Sequence, residues 1–207
     1  MNLHFNYLLE GLVLGFIAGA LPGPVMMFIF SQVFKNGFWS GVKVQLGATI
    51  LDIVRIFLIL ILFASLPRND LLIGLIAFLG SIFLGYMAYS NFVFKSELND
   101  KVELIKDPWI QGILGGLLNP YPYVFWLTVG GSTFLLARET GTVLSPVVFV
   151  AAFLIAILAV SVVISFLADK AKDFMSSKYY LYFVRLLGLA LLYFAIVYLV
   201  DSIKYFF

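Results

Sequence analysis

Gly19-Ala20-Leu21-Pro22-Gly23-Pro24 interrupts the first long apolar run of the chain, which extends from residue 7 to residue 30. Each proline removes a backbone N–H donor and clashes with the preceding helical turn, and the glycine between them has no preference for a helix. In a lipid bilayer, such a break is tolerated only where it is buried in protein or lines a wet cavity. The stretch therefore predicts a membrane helix that is broken at a buried or cavity-lining position.

A second break of the same kind lies in Gly115-Gly116-Leu117-Leu118-Asn119-Pro120-Tyr121-Pro122. A shift of 98 residues places Pro22 on Pro120 and Pro24 on Pro122. Each half then contains a broken span, a long apolar span and a glycine-containing span. Because three is an odd number, the two copies enter the membrane from opposite sides. Inverted repeats of this kind are typical of secondary transporters that alternate access around a site at the midplane.

The composition places the chain in the membrane. Of its 207 residues, 63% are hydrophobic and 12% are charged, whereas a soluble domain is near half apolar and a quarter charged. The absence of cysteine excludes disulfides, thiolate metal sites and thiol redox chemistry, and the single histidine, His4, argues against a histidine metal site. We expect the lipid bilayer as a partner, and no metal, no cofactor and no nucleic acid.

Six apolar segments each exceed the roughly 20 residues that cross about 30 Å of hydrocarbon. They cover residues 6–31, 40–65, 71–93, 110–136, 143–168 and 180–201. The predicted fold is an all-α membrane protein with six transmembrane helices, the first and fourth broken at Pro-x-Pro. Residues 1–100 form the first three-helix repeat and residues 101–207 the second, inverted one, within a single membrane domain.

Lysine and arginine are distributed unequally between the two sides. The joints after spans one, three and five carry Lys35, Lys43, Lys95, Lys101, Lys106, Lys170, Lys172, Lys178 and Arg185, and the opposite side carries Arg68, Arg138 and Lys204. Cytoplasmic loops are enriched in these residues. We therefore predict that the nine face the cytoplasm, and that both termini lie outside the cell membrane.

Asp52 and Arg55 are the charges that we place deep inside a span. Asp52 lies eleven residues after Gly41, about 16 Å along a helix, which is near the midplane. Gln45 and Thr49 share one polar stripe with it, and Arg55 lies to its side. Intramembrane carboxylates usually face a cavity or a partner. The pair is either a site for a proton or a substrate ammonium, or a static ion pair that holds span two in the bundle.

Glycines recur every four residues along span one, and a shorter pair occurs in span four. They are Gly11, Gly15, Gly19 and Gly23, then Gly112 and Gly116. Small residues at this spacing let transmembrane helices approach closely. We expect packing inside the bundle, with a homodimer face as the alternative.

Two groups of residues carry a resemblance to a known family. Gly19-Ala20-Leu21-Pro22-Gly23-Pro24, followed by Gly37, Gly41, Leu46-Gly47 and Asp52, resembles the amino-terminal signature of the LysE-type amino-acid exporters. Gly115-Gly116-Leu117-Leu118-Asn119-Pro120 is similar to the asparagine-proline motif that opens the second half of that family. Where the family often has lysine after this motif, the chain has Tyr121. The resemblance implies six spans and export of amino acids or related small metabolites by ion exchange, with protons as the coupling ion.

The expected mechanism places the substrate between the two breaks. Backbone N–H groups at the start of a half-helix favour a carboxylate, and freed carbonyls favour an ammonium group. Asp52 would bind the ammonium group or a competing proton, and Asn119 would bind the carboxylate or cap the broken helix. The candidate residues for substrate binding or the helix breaks are Pro22, Gly23, Pro24, Asn119, Pro120, Pro122, Tyr123 and Trp126. The candidates for proton coupling or the polar stripe are Gln45, Thr49, Asp52 and Arg55.

Other functions fit the residues less well. A divalent-cation or other small-ion exporter is the nearest alternative, but one buried carboxylate is few for a hard metal. An intramembrane protease would need a serine–histidine pair or two aspartates inside the spans, so we expect no catalytic residues and no enzyme. A passive structural subunit stays open, and a measured substrate gradient would distinguish it from a carrier.

Overall fold

A computed structural model describes residues 3–65, 70–93, 106–139, 144–170 and 178–205, all of them helical apart from short connections. In chain order, the helices are α1 (Leu3–Ala20), α2 (Pro24–Asn36), α3 (Phe38–Ser65), α4 (Asp70–Val93), α5 (Pro108–Leu118), α6 (Pro120–Phe125), a π-helical turn (Trp126–Gly130), α7 (Gly131–Glu139), α8 (Leu144–Lys170) and α9 (Lys178–Lys204). The predicted domain boundary at residue 100, and the loop residues Arg68, Lys95, Lys101 and Lys172, lie outside the described residues.

Four described helices are long and apolar enough to cross a membrane: α3, α4, α8 and α9. The pair α1 and α2 counts as a fifth span if its two parts, which are bent by 59°, are taken together. The predicted span 110–136 is divided among α5, α6, the π-helical turn and α7, and α5 alone has 11 residues. The chain is therefore a multi-pass helical membrane protein, and the count of six spans stays a prediction.

The outward faces of the long helices are apolar. On α3, Ile53, Phe57 and Leu58 are 52%, 63% and 60% exposed. Soluble monomers rarely expose contiguous apolar patches of this kind. Lipid is the surrounding that suits these faces.

The first predicted break is confirmed at the join of α1 and α2. Helix α1 ends at Ala20, and Gly23 is fully extended, with φ −160° and ψ −179°. Pro24 then occupies the first turn of α2, where the missing N–H would have no partner in the helix anyway. The two prolines thus end one half-helix and begin the next.

The second break is narrower than the sequence predicted. Asn119 alone leaves the helix, with φ −82° and ψ 115°, an extended conformation that a residue before proline favours. Its side-chain Oδ1 accepts a hydrogen bond from the Tyr121 N–H at 3.1 Å. Pro122, which we expected to extend the break, lies within α6. Proline is tolerated there because the first four N–H groups of a helix have no partner within it.

The π-helical turn after α6 was not predicted. Gly130 has the Trp126 ring against its backbone, in space that a Cβ would occupy. A Cβ on Gly131 would lie 2.6 Å from Cε2 of Phe63 on α3. The Gly130-Gly131 pair therefore lets two aromatic rings pack against the chain where the helix widens.

Three helix pairs form the bundle: α1 packs along α8, α3 along α5, and α4 along α9. The glycine stripes lie at two of these contacts. A Cβ on Gly15 would be 2.8 Å from Cα of Phe153 and 3.0 Å from Cβ of Ala156, and Gly11 and Gly19 also face α8. Gly112 and Gly116 face α3 in the same way. The predicted packing role inside the bundle is confirmed for these glycines, whereas Gly23 faces open space among the described residues.

A candidate substrate cavity at the two helix breaks

A cavity of about 130 Å³ lies between the two breaks. Its wall includes both breaks, together with residues of α3, α4 and α8. Of the predicted site residues, it contains Pro22, Gly23, Gln45, Asp52, Asn119, Pro122 and Trp126. The other predicted residues are not part of the wall: Pro24, Thr49, Arg55, Pro120 and Tyr123. The two breaks, 98 residues apart in the chain, thus meet at one cavity.

Asp52 and Arg55 form a buried ion pair on α3. Their residues are 6% and 5% exposed, and the Arg55 Nη1 donates to Oδ1 of Asp52. The guanidinium carbon of Arg55 lies 4.1 Å from the centre of the Tyr123 ring. Asp52 belongs to the cavity wall, whereas its cation partner Arg55 does not.

Arg55 also contacts the second break directly. Its Nη2 donates to the carbonyl oxygen of Gly116 at 2.9 Å, and the hydroxyl of Tyr123 donates to the carbonyl of Leu117 at 3.2 Å. The last four carbonyls of a helix have no partner within it. Two of those at the end of α5 are therefore already bound by the protein. The sequence predicts that freed carbonyls at the breaks favour an ammonium group, and at these two carbonyls protein donors take that place.

Gln45 and Thr49 belong to a hydrogen-bonded chain between two helices. The Ser161 hydroxyl of α8 donates to Oε1 of Gln45 at 2.9 Å, and Nε2 of Gln45 donates to the Thr49 hydroxyl at 3.3 Å. Thr49 thus orients Gln45 and does not reach the cavity itself. The predicted polar stripe presents two side chains to the cavity, those of Gln45 and Asp52.

Asn91 on α4 is a cavity residue that sequence analysis missed. It is 4% exposed and lies in the wall beside Ser90 and Met87. Its amide nitrogen has no hydrogen-bond partner among the described residues. The signal that could have identified it is the polar pair Ser90-Asn91, which lies near the end of the apolar span 71–93.

Glu10 on α1 is a second carboxylate inside a span, which corrects the expectation that Asp52 stands alone. The Tyr198 hydroxyl of α9 donates to its Oε1 at 2.6 Å, and the Thr133 hydroxyl of α7 lies 3.5 Å from the same atom. The two hydroxyls are also within 3.0 Å of each other. Glu10 lies ten residues before Ala20, about 15 Å along the helix, so this cluster is separate from the cavity.

The described residues contain no group of three or more histidine, cysteine, aspartate or glutamate side chains that could hold a metal ion. Asp52 and Glu10 are thus separate carboxylates, each bound by hydrogen-bond donors of the protein.

The model of the LysE type translocator family matches residues 16–202, which include both breaks, the cavity and the Asp52–Arg55 pair. No curated protein and no solved structure matches the chain. Because the family model covers most of the chain, the resemblance noted in the sequence is confirmed. The chain belongs to the LysE type translocator family, a family of membrane transporters.

Proposed function

We propose that this protein is a secondary transporter that exports amino acids or related small metabolites from the cytoplasm in exchange for protons. The observation that carries the proposal is the cavity itself. Both helix breaks form its wall, and Asp52, a buried carboxylate, faces into it. A cavity at the junction of broken helices is where secondary transporters bind substrate and coupling ion.

The helix pairs support two inverted repeats. Suppose that span one corresponds to span four, and span two to span five. The contact α1–α8 then joins spans one and five, and the contact α5–α3 joins spans four and two. The two contacts are equivalent copies of one another. Under the same exchange, the pair α4–α9 joins span three to span six and maps onto itself. Such an arrangement allows the repeat 1–100 to rock against the repeat 101–207, which alternates the access of the cavity between the two sides.

The Asp52–Arg55 pair offers a physical route for proton coupling. Arg55 joins Asp52 in the first repeat to the Gly116 carbonyl in the second. A proton on Asp52, or a substrate ammonium group beside it, would weaken the attraction between Asp52 and Arg55. Because Arg55 bridges the repeats, this change would alter the contact between them. Binding in the cavity would therefore be linked to the motion that alternates access.

The charge distribution predicts the orientation in which export would take place. With the nine basic residues facing the cytoplasm, both termini lie outside the cell membrane. Export then requires that the cavity binds substrate from the cytoplasm, on the side of the nine basic residues. It must release the substrate on the opposite side, where the termini lie. The inward proton gradient across a cell membrane would drive this exchange.

Reconstitution into lipid vesicles tests the proposal. Vesicles that contain the purified protein and unlabelled amino acid should take up the same labelled amino acid by counterflow, and vesicles without protein should not. A pH gradient with the vesicle lumen more acidic than the outside should drive accumulation, because substrate enters as protons leave. If no amino acid moves while a divalent cation crosses the vesicle membrane, the ion-exporter function would replace the one proposed.

A further inference from the structure

The cavity presents a single negative charge. Asp52 is the one carboxylate among the described residues of the wall, and Arg55, which is not part of the wall, already pairs with it. Asp52 can bind one ammonium group, which would compete with Arg55 for the carboxylate. A second cation, such as a lysine side chain, would have no carboxylate to meet. An acidic side chain would face Asp52 without a free cation in the described wall. Charges buried without partners are strongly disfavoured.

Two amide groups are available to bind a carboxylate. Asn91 is 4% exposed, and its amide nitrogen lacks a partner among the described residues. A buried donor without an acceptor carries a desolvation penalty that a ligand acceptor would relieve. In Asn119, the side-chain oxygen accepts from the Tyr121 N–H, which leaves its amide nitrogen as the group that it can offer. Both residues lie in the cavity wall.

The rest of the cavity surface is mostly apolar. Its large apolar side chains include Met26, Met87, Phe125, Trp126, Phe153 and Ile157. Three of the rings pack together: Phe153 lies 5.0 Å, centre to centre, from both Phe125 and Trp126. Methionine and aromatic side chains form adaptable contacts with apolar groups. This surface suits an aliphatic, thioether or aromatic side chain.

We infer that the substrate is an amino acid with an uncharged, apolar side chain, whose carboxylate accepts a hydrogen bond from the amide of Asn91. The inference rests on the proposed transport of amino acids and adds the substrate class and a specificity-determining residue. Asp52 binds the ammonium group, the methionine and aromatic side chains of the wall pack against the substrate side chain, and Asn91 donates to the carboxylate.

Counterflow in vesicles tests the substrate class with the wild-type protein. Leucine, methionine and phenylalanine should compete at concentrations at least about tenfold lower than lysine or glutamate, since one unmet charge exceeds the 1.4 kcal/mol that a factor of ten represents. Better competition by lysine would overturn the substrate class and leave amino-acid transport standing. Absence of transport for every amino acid would instead overturn the proposed function itself.

The role of Asn91 is tested with Asn91→Leu and with isoamylamine, which is leucine without its carboxylate. The variant should raise the half-saturating concentration of leucine by about tenfold and leave competition by isoamylamine unchanged. Ser81→Ala, which alters another buried polar residue of α4 that bonds its own helix at Phe78, is the matched control and should behave as wild type. If the variant weakened the binding of leucine and isoamylamine equally, Asn91 would only support the fold. If Asn91→Leu does not insert, Asn91→Asp gives the same comparison, because its carboxylate would repel leucine and attract the amine.

Discussion

Arg55 and Gly116 join the two halves of the molecule: the guanidinium Nη2 donates to the carbonyl oxygen of Gly116 at 2.9 Å. This carbonyl is among those left without an intrahelical partner where α5 ends. The same guanidinium bonds Asp52 at the cavity. A single side chain therefore links the cavity wall to the break between α5 and α6, so its contacts are not confined to one helix.

The break between α1 and α2 is testable by removing both prolines. The double variant Pro22→Ala, Pro24→Ala should allow a continuous helix through residues 21–23, because alanine restores the N–H donors and favours helix. We expect an inserted protein that no longer transports, measured by counterflow in vesicles. Normal transport by this variant would reduce the break to a packing kink and would remove it from the site.

The close contact of α1 with α8 predicts the effect of an added methyl group. Gly15→Ala would place Cβ 2.8 Å from Cα of Phe153 and should destabilise the protein by about 1–3 kcal/mol, seen as a lower unfolding temperature in detergent. Gly85→Ala on α4 is the control, since its Cβ would meet no described atom within 4 Å. An unfolding temperature for Gly15→Ala equal to that of the control would refute the tight contact.

The Glu10 cluster predicts a stability effect far from the cavity. Tyr198→Phe removes the hydroxyl that donates to Glu10, which leaves a carboxylate with one weaker donor. The expected loss is about 1–3 kcal/mol, again measured by thermal unfolding. Tyr193→Phe, on the same helix but 65% exposed, should have no effect. Equal unfolding temperatures for the two variants would mean that the cluster does not stabilise the contact between α1 and α9.

The orientation in the membrane can be tested directly, because the natural chain has no cysteine. Single cysteines at Asn99 and Ser176, both in the sequence regions predicted to face the cytoplasm, should be protected from an impermeant thiol reagent added to intact cells. Labelling of both from outside would reverse the orientation. Labelling of one alone would contradict the count of six spans.

How far the sequence predicted the structure depends on how local each cause is. Proline and its neighbours act on their own turn, so both breaks were predictable, and so was the glycine stripe with its period of four. The prediction that Pro122 belongs to the second break was wrong, because a proline in the first turn of a helix does not break it. The π-helical turn has no such local signal, and the Phe63 ring that packs against Gly131 comes from a distant helix.

The candidate site was predictable in part for the same reason. Asp52 stood out because a charge in an apolar run needs a partner or a cavity. Its link to Gly116 and the role of Tyr123 depend on contacts between halves that have no periodic signal. Asn91 is polar near the end of a span, where polarity is ordinary. Glu10 had the same kind of signal as Asp52, but its partners Thr133 and Tyr198 are more than a hundred residues away.

The central claim is that Asp52 carries the coupled proton. Asp52→Asn alone would leave Arg55 buried without its charge partner, at a cost of about 3–5 kcal/mol. The double variant Asp52→Asn, Arg55→Gln removes both charges and keeps neutral amide groups in their place, so it is the variant to measure, with its unfolding temperature compared with that of the single variant.

The decisive measurement is labelled-substrate transport by the double variant in vesicles, with and without an imposed pH gradient. We predict that substrate exchange without a gradient persists at a raised half-saturating concentration, because the ammonium group has lost its carboxylate, and that the gradient no longer drives accumulation. Accumulation driven by the gradient at the wild-type level would contradict the account, since the pair would then be a structural contact and the proton would bind elsewhere.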